Sequence, residues 1–225
     1  MKIHHFVLAT LIITSVWANP SLAHHVMDGE IPHTFFHGFL SGLGHPVIGL
    51  DHLVAMISVG AISAQIGGLA IWFVPGLFVF GMLIGASLAV LIYYFHNITN
   101  PNELVLYVLD NFADYIYFIV EFGIAFSVLF LGSIICFNKK LPLIYISAII
   151  FSFGVTHGAA HGISIPYVIK PYLFISGFCL GTVLLHLLGV VIGYSSVAYT
   201  YIDKILRLGG ILIFFFGIYL ITNLL

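Results

Sequence analysis

Charge is what this sequence has least of. Only 6% of its 225 residues are Asp, Glu, Lys or Arg, where an ordinary soluble domain carries roughly a quarter. A chain so poor in charge cannot dress a water-facing surface. With 61% hydrophobic residues and a mean hydropathy of +1.18 it reads as a polytopic membrane protein. Six basic side chains against eight acidic ones, with no basic run among them, exclude a surface that tracks phosphates and with it nucleic-acid binding. Cysteine is scarce too. Cys136 and Cys179 both lie in apolar runs, where a thiol behaves as a small hydrophobe, so no disulfide is expected. The absence of a P-loop argues against direct ATP coupling within this chain, and no linker, low-complexity tract or second soluble domain interrupts the hydrophobic pattern.

What is abundant is the long apolar segment. The first, Phe6 to Trp17, follows Lys2 and is short for a span, and "SLA" at Ser21 to Ala23 supplies the small residues of a cleavage site. The expectation is a signal peptide over 1–23 and a mature six-helix domain over 24–225, starting at His24 outside the cytoplasmic membrane. An uncleaved helix from His4 to Ala23 is the competing reading. Six further segments, at about 46–66, 69–95, 115–137, 141–163, 171–194 and 205–223, each approach the ~20 residues that a spanning helix needs. The fold class expected is therefore all-α, a polytopic membrane helix bundle with six transmembrane helices after a cleavable signal peptide.

Loop charges orient that bundle. With His24 outside, Lys139, Lys140, Lys204 and Arg207 fall on the cytoplasmic side, while Asp28, Glu30, Glu103, Asp110 and Asp114 fall outside with Lys170. That is the positive-inside bias of a protein in the inner (cytoplasmic) membrane. The stretch "HNITNPNELVLYVLDNFAD" is expected as the longest external loop. Glycines four apart in "GMLIG" (81–85), "GFCLG" (177–181) and "GVVIG" (189–193) predict close helix packing, within the chain or across a homo-oligomer interface.

Ionisable residues inside spans are costly in lipid and usually face a partner or a cavity. In "HPVIGLDH", His45 and Pro46 mark the outer end of the first segment, with Asp51 and His52 one to two turns further in at ~1.5 Å per residue. Glu121 lies about as deep in the third. In the fourth, "THGAAHG" puts His157 and His161 on one helix face in the outer half, and His186 is deeper, in the fifth. Each alone has a plainer role: a hydrogen bond to a neighbouring helix for His186, a carboxylate paired to a histidine for Glu121, and a solvated loop for His96. Together they bring imidazole and carboxylate donors to one depth without a thiolate, a set that suits Ni²⁺, Co²⁺, Zn²⁺ or Cu²⁺ and not a soft Cu(I) site. The expected metal-handling residues are thus His45, Asp51, His52, Glu121, His157, His161 and His186. To these is added His24, whose imidazole and freed α-amine would chelate a metal at the start of the His-rich "HHVMDGEIPHTFFHG".

These motifs resemble the HupE/UreJ family. "HPVIGLDHLVAMISVGAISAQIGG" with its H-x5-D-H core, "EFGIAFSVLFLG" from Glu121, "THGAAHG" and "GTVLLHLLGVVIGY" from Gly181 are similar to that family's signatures in the same order. The resemblance implies a nickel or cobalt permease serving hydrogenase or urease maturation, with His45, Asp51 and His52 handling the ion in the first helix and His157 and His161 in the fourth. One departure stands out: where the family often reads F-H-G-x-A-H-G-x-E, this chain has Thr156 for the aromatic residue and Ser164 for the acid.

The function expected is facilitated uptake of a transition-metal cation, without catalysis, the ion being substrate or bound ligand and the lipid bilayer the surroundings. His186 would then be an inner relay. Two rival classes remain open at this stage: a non-transporting metal-binding protein (store, sensor or assembly factor), and a His-box membrane metalloenzyme suggested by the H-x3-H spacings of "HTFFH" and "HGAAH".

Overall fold

A computed structural model describes residues 35–98, 103–138, 141–164 and 171–225. The signal segment and His24 lie outside the described residues. The described chain is all-helical, as a lipid-spanning segment must be when its backbone groups have no water to bond. Seven helices are present among the described residues: α1 (Phe35–Ile48), α2 (Leu50–Ile66), α3 (Ala70–Ile98), α4 (Glu103–Phe137), α5 (Leu143–Ser164), α6 (Pro171–Ala198) and α7 (Thr200–Leu224). Five of them, α3 to α7, contain stretches of 20 residues or more that are apolar enough to cross a membrane. The bent pair α1 and α2, whose axes turn by 80°, is long and apolar enough only when taken together, as a broken span or a re-entrant loop.

That bend corrects the expectation of one straight helix over 46–66. His45 and Pro46 belong to the end of α1, and α2 starts afresh at Leu50. Gly49 between them is extended (φ −73°, ψ 107°). Pro46 is the local cause: lacking an N–H, it weakens the last turn of α1, and its ring is seated against Gly181 of α6, where any side chain would collide with it. A second correction concerns the expected external loop. Its residues from Glu103 onward are helical and form the first turns of α4, and α3 runs on to Ile98. The turn at "QIGG" is as expected: Gly67 and Gly68 take positive φ values of 81° and 58°, a region open to glycine, and the Gly67 N–H closes α2 on the Ser63 carbonyl at 3.0 Å.

The helices pair off by close contact. α3 lies along α5 and α4 along α7, while α6 carries both helices of the bent pair, α1 and α2. α2 is the central element, touching α3, α4 and α5 as well, and ten of its 17 residues are buried. Glycine makes these approaches close. Gly81 and Gly85 of α3 face the backbone of Phe151 and Val155, Gly154 and Gly158 of α5 answer against Phe78 and Met82, Gly177 of α6 meets Phe39, and Gly189 and Gly193 meet Ile57 and Ala61. The glycine faces are therefore filled by the chain's own helices and are not available to a second copy. In lipid, where apolar surface gains little by being hidden, this backbone-to-backbone contact is a main source of helix association. Gln65 Nε2 adds a hydrogen bond to Ser196 Oγ at 3.2 Å between α2 and α6. Outward, large apolar side chains such as Trp72, Leu184, Val191 and Phe215 are exposed, as a lipid-facing surface requires.

Candidate metal site

The histidines of three helices meet ring to ring. His45 near the end of α1 lies edge-on to His161 of α5, with ring centroids 4.7 Å apart. His161 in turn meets His52 of α2 at 4.5 Å, and His52 meets His157 at 5.0 Å. All four are buried. The result is a ladder of imidazoles, 45 to 161 to 52 to 157, built from positions up to 116 residues apart where α5 faces α1 and α2. The motif "HGAAHG" serves two purposes at once. Gly158 and Gly162 press α5 against α3, and His157 and His161, one residue back around the helix, turn to the interior.

The tautomer of His157 follows from its partner. Its Nδ1 is 2.9 Å from the Phe153 carbonyl oxygen, and since a carbonyl only accepts, Nδ1–H donates. In the neutral ring Nε2 then carries a lone pair, and this atom is buried without a hydrogen-bond partner. His52 Nδ1 is likewise buried without one; it lies 3.4 Å from Asp51 Oδ1. A buried nitrogen left unmatched costs about 1–3 kcal/mol, a cost that ligating an ion or water removes. Among the described residues no three His, Cys, Asp or Glu groups converge on one point as a closed metal cage would require. The rings meet in pairs instead.

Asp51 stands in the first turn of α2, where the helix dipole favours a carboxylate. Its Oδ1 accepts the backbone N–H of His52 at 2.8 Å, so this side chain both starts the helix and sets an anionic oxygen beside the ladder. Glu121 of α4 is half-buried and joins none of the rings. His186 of α6 also stands apart. The ring of Phe78 touches both it and His157, with centroids 5.2 Å from the first and 5.3 Å from the second. His37 of the H-x3-H pair is exposed on α1, and its partner position 33 lies outside the described residues.

Sequence reasoning missed the aromatic walls. Phe174 and Phe178 of α6 cover His45 and His161, Phe178 coming within 4.1 Å of His161 between ring centroids. In a chain with 21 phenylalanines nothing marks these in advance. They keep the rings of His45 and His161 in an apolar setting, where ion–ligand attraction is weakly screened. The departure at Thr156 also acquires a reason. Its methyl group fills the space left by Gly123 of α4, and its hydroxyl donates to the Phe153 carbonyl at 2.9 Å, so a larger ring at this point would press on α4.

Fold and site together define a multi-pass helical membrane protein with a buried histidine ladder. The family model described as HupE / UreJ protein matches residues 11–96 and 109–220, and the chain belongs to that family. It is 33% identical over 175 residues to "Protein HupE" of Rhizobium leguminosarum bv. viciae, which covers 77% of this chain and 76% of that protein. No solved structure matches it.

Proposed function

We propose that this protein is a permease for a divalent transition-metal cation, Ni²⁺ first and Co²⁺ second, mediating facilitated uptake across the cytoplasmic membrane. The observation that carries this reading is the pairwise ladder of four buried imidazoles beside Asp51. Neutral imidazole and carboxylate suit such ions, and a carrier must hold its cargo firmly enough to admit it yet loosely enough to release it. Donors offered two at a time meet both demands. Resemblance to the HupE/UreJ family supports nickel or cobalt as the cargo, and hydrogenase or urease maturation is the use proposed for it.

In this mechanism the acidic residues expected outside, Asp28 and Glu30 among them, concentrate cations at the mouth, and His24 of the mature N-terminus collects them. His45 and Asp51 take over part of the ion's water shell. His161, His52 and His157 exchange it inward, each ring giving one nitrogen while the next approaches. On the α4 side Glu121 offers a second carboxylate, which an approaching dication would favour in its charged form. The mature N-terminus lies outside the cytoplasm.

The test is uptake of labelled nickel into vesicles, with cobalt, zinc and copper as competitors. Asp51→Asn keeps an oxygen to accept the His52 N–H but removes the charge, and Asp51→Ala removes both. Saturable uptake that falls roughly tenfold or more in both variants at matched expression is expected, the size typical of losing one group around a metal. Uptake retained in Asp51→Asn would reduce Asp51 to a helix-starting residue. Metal that stays bound through purification, with no uptake, would replace the permease by a non-transporting metal-binding protein.

A further inference from the structure

The inner face of α6 carries a feature that the outer ladder does not use. Phe178, Thr182 and His186 follow one another at four-residue steps and so share one face. At ~1.5 Å per residue they descend about 12 Å from the ring that covers His161 to the imidazole behind Phe78. Thr182 is completely buried, and its hydroxyl has no hydrogen-bond partner. That is out of keeping with the rest of the bundle: the hydroxyls of Ser63, Ser127, Thr156 and Ser196 all donate to a carbonyl of their own helix. Those of Ser58 and Ser147 are also unpartnered, but neither has an imidazole one turn away on its helix. His186 is 3% exposed, and both of its ring nitrogens lack partners. Three orphaned polar atoms thus lie within one turn of a single helix, with the Phe78 ring in contact with both His186 and His157.

We propose that Thr182 and His186 form a second, inner cation station, which takes a divalent transition-metal ion still carrying part of its water shell. The inference rests on the transport reading above and deepens it. One imidazole nitrogen and one hydroxyl oxygen leave most of the coordination sphere to water, so the ion is held more loosely here than among the outer rings. An ion arriving at the ladder then meets a second site beyond it, and occupation of both helps the inner ion to leave, as in multi-site conduction. Phe78 touches the end of each, His157 of the ladder and His186 of the inner station.

The experiment is nickel uptake into vesicles by the full chain, with Thr182→Val, Thr182→Ser, His186→Leu and His52→Ala compared at matched expression. Thr182→Val preserves shape and removes only the hydroxyl. It and His186→Leu are expected to lower uptake roughly tenfold or more, while Thr182→Ser, which restores the oxygen, keeps it. Equilibrium dialysis of the detergent-purified protein against Ni²⁺ should then show that Thr182→Val still binds an ion at the outer ladder and that His52→Ala weakens that binding. Wild-type uptake in Thr182→Val, beside loss in His52→Ala, would overturn the inner station and leave the ladder standing. Equal loss in Thr182→Val and Thr182→Ser would overturn it as well, by showing that packing and not the hydroxyl matters. Absence of uptake by the wild-type protein, or full uptake by His52→Ala, would remove the transport reading and the inner station with it.

Discussion

Replacing His157 with alanine is expected to abolish nickel accumulation in vesicles while leaving a folded protein. His157 is the ring on which the ladder ends: fully buried, in contact with His52 on one side and Phe78 on the other. Its Nδ1–H is committed to the Phe153 carbonyl, which orients the ring and leaves Nε2 as the donor atom, the usual division of labour in a metal-binding imidazole. Alanine removes that atom, and the loss of uptake should be at the upper end of the roughly 10- to 100-fold range seen when metal-site partners are removed. The effect on stability should be smaller, because the lost ring packing is offset by relief of an unmatched buried nitrogen. Measuring initial uptake rates alongside the thermal midpoint in detergent separates the two. A variant that melts normally and transports normally would exclude His157 from the path, and the ladder reading would have to end at His52.

The largest expected loss of stability lies one residue further on. A side chain at Gly158 would run into the backbone of Met82, whose carbonyl carbon and Cα both come to 2.6 Å from the position of an added Cβ. Backbone atoms of a packed helix cannot swing aside as a side chain does, so α3 and α5 would have to separate along their shared length. Gly158→Val is expected to cost about 3 kcal/mol or more, beyond ordinary overpacking, and to lower the thermal midpoint sharply or prevent recovery of folded protein. Gly76→Ala and Gly209→Ala are the controls. Nothing lies within 4 Å of an added Cβ at either position, and alanine in a helix interior is favoured over glycine by about 0.5–1 kcal/mol, so both should melt at or above the wild-type temperature. Equal behaviour of Gly158→Val and the controls would mean that α3 and α5 do not approach as described.

Much of this was legible in the residues because lipid leaves a chain few choices. A segment of about 20 apolar residues in a bilayer must close its own hydrogen bonds, so composition and length alone determined that α3 to α7 are helices. The turn at Gly67 and Gly68 followed from local chemistry, and so did the four-residue glycine spacing that predicts close packing. Spacing likewise put His157 and His161 on one face of their helix, and counting residues from each end brought them to the depth of His52. The H-x5-D-H motif and its companions carried enough of a signature for family membership to be readable before any coordinates.

Only the tertiary structure decided which of these residues meet. Depth along a helix says nothing about rotation around it or about which helix lies next door, and that is why Glu121, at the same depth as the histidines, stays clear of their rings while His45 reaches His161. The break at Gly49 was hidden because a proline followed by an apolar run reads equally well as the first turn of a helix or the last, and only the seat of Pro46 against Gly181 selects the second. Phe78, Phe174 and Phe178 became walls, and Thr182 an unmatched hydroxyl, through contacts between helices far apart in the chain. Local pattern determined the helices and the faces they present. The site comes from the meeting of two close-packed groups, α3 with α5 and α6 with α1 and α2, and each of those is a packing property held by glycine contacts spread over the sequence.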